Sequence, residues 1–300
     1  MTDQGSSFEK DLHDELLKKI RDHWLGLKDK PDETPETTLS DLWKAASKVR
    51  EDEEFSDHTQ SIFEERLRRF VEQRLAGIPL AYLTGMQKFM DIELLTTPGA
   101  MIPRKETEIL GKAVNQKAAL LGQNHMDFLS LDLCTGSGNV ILAAAHSCSN
   151  LRGFGADITP EAVELARKNA AHLNLDDRVE FVVSDLFSAF PLPQFANRFH
   201  LITCNPPYIS SAQVERMPEE IQKFEPREAF DGGPFGIKII NRLYREAPAY
   251  LAPGGWLCFE VGLGQGETLK KVIERSGQYA LIEANTDEDG SIRVLALQKP

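Results

Sequence analysis

Three stretches near the start of the chain repeat apolar residues every three to four positions. In FEKDLHDELLKKIRDHWLGL these are Leu12, Leu16, Ile20, Trp24 and Leu27, the spacing of one helical face. SDLWKAASKVR opens with a residue suited to cap a helix, Ser40 or Asp41. HTQSIFEERLRRFVEQRLAG aligns Ile62, Phe63, Leu67, Phe70, Val71 and Leu75, then stops at Gly77. The polar, proline-containing KDKPDETPETT reads as the loop between the first two. A small helical domain over 1–78 is expected. From Pro79 the runs shorten and Gly and Pro interrupt them, so 79–104 is expected to be a linker holding a β-hairpin.

From 105 to 300 strand-like runs alternate with helix-like ones. DFLSLDL precedes NVILAAAHSC, LRGFGAD precedes TPEAVELARKNAAHL, and FHLITC, WLCFEVG, YALIEAN and SIRVLALQ follow. Repeated βα units predict an α/β fold with a mainly parallel, doubly wound sheet. Only TDEDG separates the last two strands. So short a link joins antiparallel neighbours, which predicts a C-terminal hairpin with one strand antiparallel to the rest.

Composition narrows the class. The 300 residues are 41% hydrophobic and 27% charged, as in globular proteins. No apolar run reaches membrane-spanning length. The start, MTDQGSSFEKDLHDELL, has neither an apolar signal core nor an arginine-rich transit pattern. A cytoplasmic protein without membrane contact is expected. Cys134, Cys148, Cys204 and Cys258 form no CxxC pair, so free thiols are expected rather than disulfides or a metal site. The net charge of −12 opposes binding to a nucleic-acid backbone. The one basic cluster, RLRR at Arg66–Arg69, alternates with apolar positions as a solvated helix face does.

LDLCTGSGNV ends the first strand of the repeat and opens a helix. Gly136 and Gly138 allow a tight turn and close ligand approach. The dinucleotide fingerprint needs a third glycine where Ile141 stands, which disfavours a dehydrogenase. Asp132 at the strand end suits a cationic ligand better than a diphosphate. Asp157, about twenty residues on, stands where a ribose-binding acid is expected. Asp185 and Leu186, after the third strand, are placed to border an adenine. A nucleoside with a cationic tail describes S-adenosylmethionine. The alternative is a plain βα turn, against which the three strand-end aspartates count together.

LITCNPPYIS ends a strand in Asn205-Pro206-Pro207-Tyr208. In such sheets ligands bind beyond the carboxyl ends of strands. The Asn205 side-chain oxygen and the Pro206 carbonyl can hold the two hydrogens of a planar NH₂ group. Tandem prolines stiffen the turn, and Tyr208 can stack on the substrate plane. Methyl transfer to that nitrogen would then rest on alignment and desolvation rather than a strong base.

In these motifs the chain resembles the HemK/PrmC family, the release-factor N5-glutamine methyltransferases. The resemblance runs through GIPLAYLTG, IPRKETE, LDLCTGSG, GADITPEAVELARKNA, CNPPYIS, FEPREAFDGGPFGIKII and LAPGGWLCFEVGLGQ, in that order. It implies a class I S-adenosylmethionine-dependent methyltransferase fold, Rossmann-like, with an N-terminal helical substrate-recognition domain. It implies methylation of the glutamine in the Gly-Gly-Gln loop of a peptide chain release factor by a monomer, leaving S-adenosylhomocysteine. By resemblance Cys134, Thr135, Gly136, Ser137, Gly138, Asp157, Leu186 and Asn205 contact the cofactor, and Asn205 to Tyr208 bind the glutamine amide. The chain departs from the family at Cys134, where glycine is usual, at Lys105-Glu106, where proline-aspartate is usual, and at Leu186, where an aromatic is common. Glu106 and Glu108 suit the first turn of a helix equally well. Two rivals remain: an N6-adenine or N2-guanine nucleic-acid methyltransferase using the same tetrapeptide, and a binding scaffold without turnover. The acidic charge counts against the first, and the intact Asn205 and Tyr208 against the second.

Overall fold

The computed structural model describes residues 4–24, 30, 33–51, 57–124 and 126–300. The chain divides into two compact units, Met1–Met86 and Gln87–Pro300.

The first unit holds α1 (Gln4–Asp22), α2 (Pro35–Glu51), α3 (Asp57–Leu75) and α4 (Leu80–Thr84). Leu12, Leu16 and Ile20 pack with Leu39, Leu42, Phe63, Leu67 and Val71 in one core, as the periodicity predicts. Leu27 lies outside the described residues. The expected caps Ser40 and Asp41 fall inside α2, which begins at Pro35. Proline suits the first helical position because its missing N–H would have no partner there. Thr34 caps the turn, its hydroxyl accepting from the Thr37 amide at 3.2 Å. α3 ends before Gly77, whose φ of +88° supplies the left-handed exit. The division falls later than residue 78 because Leu80 of α4 is buried in the helical core.

The second unit takes in, from Gln87 onward, the hairpin of β1 (Met86–Phe89) and β2 (Ile92–Leu95). It is more than a linker: Phe89, Ile92 and Leu94 are buried in the core of this unit. The seven-stranded sheet comprises β3 (Phe128–Leu133), β4 (Leu151–Asp157), β5 (Val179–Val183), β6 (Phe199–Cys204), β7 (Leu251–Glu260), β8 (Leu281–Thr286) and β9 (Ile292–Gln298). Its order is β5-β4-β3-β6-β7-β9-β8. The pairs β3–β4, β4–β5, β3–β6 and β6–β7 are parallel, and β9 runs antiparallel to β7 and β8.

The connecting helices are α5 (Glu108–Asn124), α6 (Asn139–Ser147), α7 (Pro160–His172), α8 (Leu192–Phe195), α9 (Ser211–Val214), α10 (Glu219–Phe224), α11 (Lys238–Tyr250) and α12 (Gly266–Ser276). Two apolar clusters form. One gathers α5, α6 and α7 residues such as Leu110, Ile141 and Val163. The other gathers α11 and α12 residues such as Leu243 and Ile273. The chain leaves β3 toward β4 on one side, while β6 lies on the other; this switch point is where such sheets open a crevice. Leu133 pairs with Cys204, so the loops beginning at Cys134 and Asn205 emerge level and side by side. No helix among the described residues is long and apolar enough to cross a membrane. All four cysteines are free thiols.

Candidate active site

A cavity of about 390 Å³ opens at these strand tips, within the usual range for small-ligand sites. Cys134, Thr135, Gly136 and Ser137 line it from the first loop, with Asp157, Asp185, Leu186, Asn205 and Pro207 from the neighbouring strand ends. Gly99 to Met101 and Pro226 to Ala229 close the far wall.

The turn needs unusual backbone. Gly136 has φ +55° and open space where a Cβ would stand. At Gly138, φ +82°, a Cβ would meet Leu142 at 2.9 Å and Phe181 at 3.2 Å. Gly138 therefore serves packing behind the wall, and does not line the cavity. Cys134 and Leu186 also take left-handed φ, +53° and +48°, without the freedom of glycine.

The three strand-end aspartates differ. Asp157 accepts from the Gly136 amide at 2.9 Å through Oδ2, and through Oδ1 from the Thr159 amide at 3.0 Å and hydroxyl at 2.9 Å. It lines the cavity, and a carboxylate has about four acceptor sites, so capacity for a ribose hydroxyl remains. Asp185 also lines the cavity, but both its oxygens accept from Arg242, at 2.8 and 3.0 Å. That pair is half exposed, and by the same count of acceptor sites the carboxylate keeps room for a ligand hydroxyl. Asp132 does not line the cavity, contrary to expectation. It is 1% exposed and accepts hydroxyl hydrogen bonds of 2.6 Å from both Thr135 and Thr203. Burial pushes its carboxyl up to about 6, against the lowering effect of those donors. Asp132 ties the glycine loop to β6 from behind.

The Asn205 amide is polarised by its surroundings. Nδ2 donates to Thr107 Oγ1 at 3.1 Å, while Oδ1 has no hydrogen-bond partner among the described residues. The free oxygen belongs to a residue on the cavity wall. Pro207 lines the cavity; Pro206 is buried and does not. Tyr208 is half-buried and is not among the residues lining the cavity. Its hydroxyl donates to Glu260 Oε1 at 2.9 Å, and its carbonyl accepts from Gln265 Nε2 at 3.0 Å.

Two supporting carboxylates were not singled out by the sequence reading. Glu260 ends β7, is 1% exposed, and burial raises its pKa, while Tyr208 and the nearby Thr107 hydroxyl oppose the rise. Glu225 is buried and accepts from the Ile102 amide at 2.9 Å and from Arg104 Nη2. That pair clamps IPRKETE to FEPREAF beside the far wall. Only a charged residue ending the apolar run WLCFE gave any hint of Glu260.

The fold and its glycine turn are those of a methyltransferase. Residues 125–287 match the family described as a methyltransferase domain. The hMettl16 catalytic domain, solved in complex with the MAT2A 3′UTR hairpin 6, superposes with a TM-score of 0.53 at 14% identity, covering 68% of this chain and 74% of that one. At that identity the likeness is one of fold. Sequence likeness goes further. The release factor glutamine methyltransferase of Thermodesulfovibrio yellowstonii is 35% identical over 78% of this chain and 81% of its own length. Those of Moorella thermoacetica and Geobacter sulfurreducens are also 35% identical, over 70% and 76% of this chain and 71% and 76% of theirs. The chain belongs to the release factor glutamine methyltransferase family.

Proposed function

We propose that this protein transfers a methyl group from S-adenosylmethionine to the side-chain nitrogen, N5, of the glutamine in the Gly-Gly-Gln loop of a peptide chain release factor. The observation that carries this reading is the adjacency of two loops. A glycine turn and the Asn205 side chain share one cavity, and Asn205 keeps its oxygen free by donating its nitrogen elsewhere.

The residues present fit the cofactor. Gly136 leaves the wall open, Asp157 has acceptor capacity for a ribose, and Leu186 borders the same cavity. Bound there, S-adenosylmethionine would supply an electrophilic methyl group. The chain's own part is to orient the acceptor. An amide nitrogen is a weak nucleophile, because its lone pair is delocalised into the carbonyl. Asn205 Oδ1 accepts one of its hydrogens, and the Pro206 carbonyl is the candidate acceptor for the other. Fixing the nitrogen in this way supplies the alignment on which the reaction rests.

Mass spectrometry of release factors incubated with the protein and S-adenosylmethionine tests the proposal, with one added methyl on the glutamine expected. Asn205→Ala is expected to lower turnover by about 10²–10³-fold, by analogy with loss of one oriented polar group in other sites, while cofactor affinity changes only a few-fold. Labelled DNA or rRNA with an unmodified release factor would overturn the substrate assignment. Wild-type turnover in the variant would overturn the role of Asn205.

A further inference from the structure

Two consecutive prolines leave the acceptor turn short of its own means of support. Neither Pro206 nor Pro207 has an N–H to give, so the turn must be held through its carbonyls by donors brought from outside. One side chain is brought to that task. Gln265 Nε2 donates to the Tyr208 carbonyl at 3.0 Å and to the Gly236 carbonyl at 3.3 Å. Gln265 Oε1 accepts from the Gly262 amide at 2.9 Å. Both amide hydrogens and the oxygen are thus in use, and three loops meet on one carboxamide. The loops pack closely. A Cβ at Gly236 would overlap the Tyr208 carbonyl, and one at Gly232 would stand 2.5 Å from the Pro207 carbonyl oxygen. Gln265 stands at the N-cap of α12, yet its side chain makes no capping bond to that helix. It turns to the tetrapeptide instead. Gln265 does not line the cavity, so it acts there through Tyr208.

We propose that Gln265 is a positioning residue of the acceptor site, fixing the Pro206–Tyr208 backbone by its hold on the Tyr208 carbonyl. This rests on the amide-methylation reading above. In that reading the Pro206 carbonyl takes one hydrogen of the substrate amide, and its aim is set by the peptide units that follow. Both prolines fix φ, so anchoring the Tyr208 carbonyl leaves little freedom between the two. The Ile209 amide donates to the Phe230 carbonyl at 3.0 Å, and the Gly232 amide to the Ile209 carbonyl at 2.8 Å. These bonds continue the strap, but they lie beyond the tetrapeptide. Within it, Tyr208 is held by Gln265 at its carbonyl and by Glu260 at its hydroxyl, and the first of these acts on the backbone. The role belongs to a donor. A glutamate of the same length would aim an oxygen at two carbonyl oxygens, and a methionine would fill the space without bonding. A misplacement of about 1 Å near the reacting atoms can cost about 10²-fold in rate, which sets the scale.

The test uses the full chain with Gln265→Glu and Gln265→Met. Each should lower kcat on a release factor about 10–100-fold, with KM for the release factor and affinity for S-adenosylmethionine changed only a few-fold. A residue that merely supported the fold would lower the melting temperature and leave kcat of the folded protein alone. Joined to Asn205→Ala, Gln265→Met should cost less than the product of the two single losses, because both act on one tetrapeptide. Independently of turnover, hydrogen exchange read by mass spectrometry should quicken in peptides covering 208–214 and 232–238 and stay unchanged over 134–138. Wild-type kcat in both variants, a loss confined to cofactor affinity, fully multiplicative losses in the double variant, or unchanged exchange over 208–214 would each overturn the proposal. If Gln265→Glu does not fold, Gln265→Met decides alone. A wild type that leaves release factors unmodified would defeat the proposed substrate, and the exchange measurement would still judge the clamp.

Discussion

Replacing Asp132 with asparagine probes how the glycine loop is held from behind. The folded protein raises this carboxyl from the ordinary 3.8 to about 6, chiefly by burial. A folded value above the unfolded one means that the folded chain holds the proton more tightly. The ionised form is then penalised: the penalty is complete above about pH 6 and vanishes as pH falls below about 4. A difference of about 2 pH units corresponds to ~3 kcal/mol at neutral pH. Roughly half of that is regained on acidifying from pH 8 to pH 5. Asp132→Asn has no titrating group at this position. The stability gap between the two proteins should therefore move by about 1–2 kcal/mol in favour of the wild type over that range. Urea unfolding of both proteins, compared at each pH, isolates the effect. Glu260, whose pKa burial also raises, is common to both and cancels. A gap that stays flat, or moves toward the variant on acidification, would refute the reasoning.

Two further outcomes follow from the cavity walls. Cys134 holds φ +53°, which strains an L-residue by about 1–2 kcal/mol, part of which glycine returns as lost chain entropy. Cys134→Gly should raise stability by about 0.5–1 kcal/mol in urea unfolding; an unchanged or lower midpoint would show that the loop is not strained there. Glu225→Ala leaves Arg104 buried beside a lost partner and frees the Ile102 amide. Breaking a buried pair in this way typically costs about 3–5 kcal/mol, and a loss below about 1 kcal/mol would place the pair among weak surface contacts.

What the sequence made legible was periodic or local. Alternating runs located the strands of the seven-stranded sheet, and the short TDEDG link foretold the antiparallel β9. The loops that line the cavity were found because strand ends are visible in sequence. The direction of a side chain at those ends was not. Asp132 lies between Leu131 and Leu133, which both face the α11 and α12 cluster. Alternation along the strand sends Asp132 to the opposite face, and the register sets it level with Thr203. That register depends on another strand 71 residues away. Likewise Thr107 is 98 residues from Asn205, and Glu260 is 52 from Tyr208. The α2 start was misread because Ser40 and Asp41 are good caps, while a proline five residues earlier was already positioned to begin the turn. The hairpin read as a linker because apolar residues in a short two-stranded piece reveal nothing of the core they join.

Three buried carboxylates, Asp132, Glu225 and Glu260, stand behind three parts of the same site. Burial of a charge is unfavourable, and a chain of net charge −12 has ample solvent-exposed acid elsewhere. None of the three lines the cavity, so none is placed to take a proton directly from a bound acceptor. Each instead fixes a wall: Asp132 binds the glycine loop to β6, Glu225 binds Ile102 and Arg104 to the segment before Pro226, and Glu260 holds Tyr208. The carboxylates that do line the cavity, Asp157 and Asp185 among them, stand in front of these three, so the site divides its acids between a ligand-facing set and a set that holds the walls from behind.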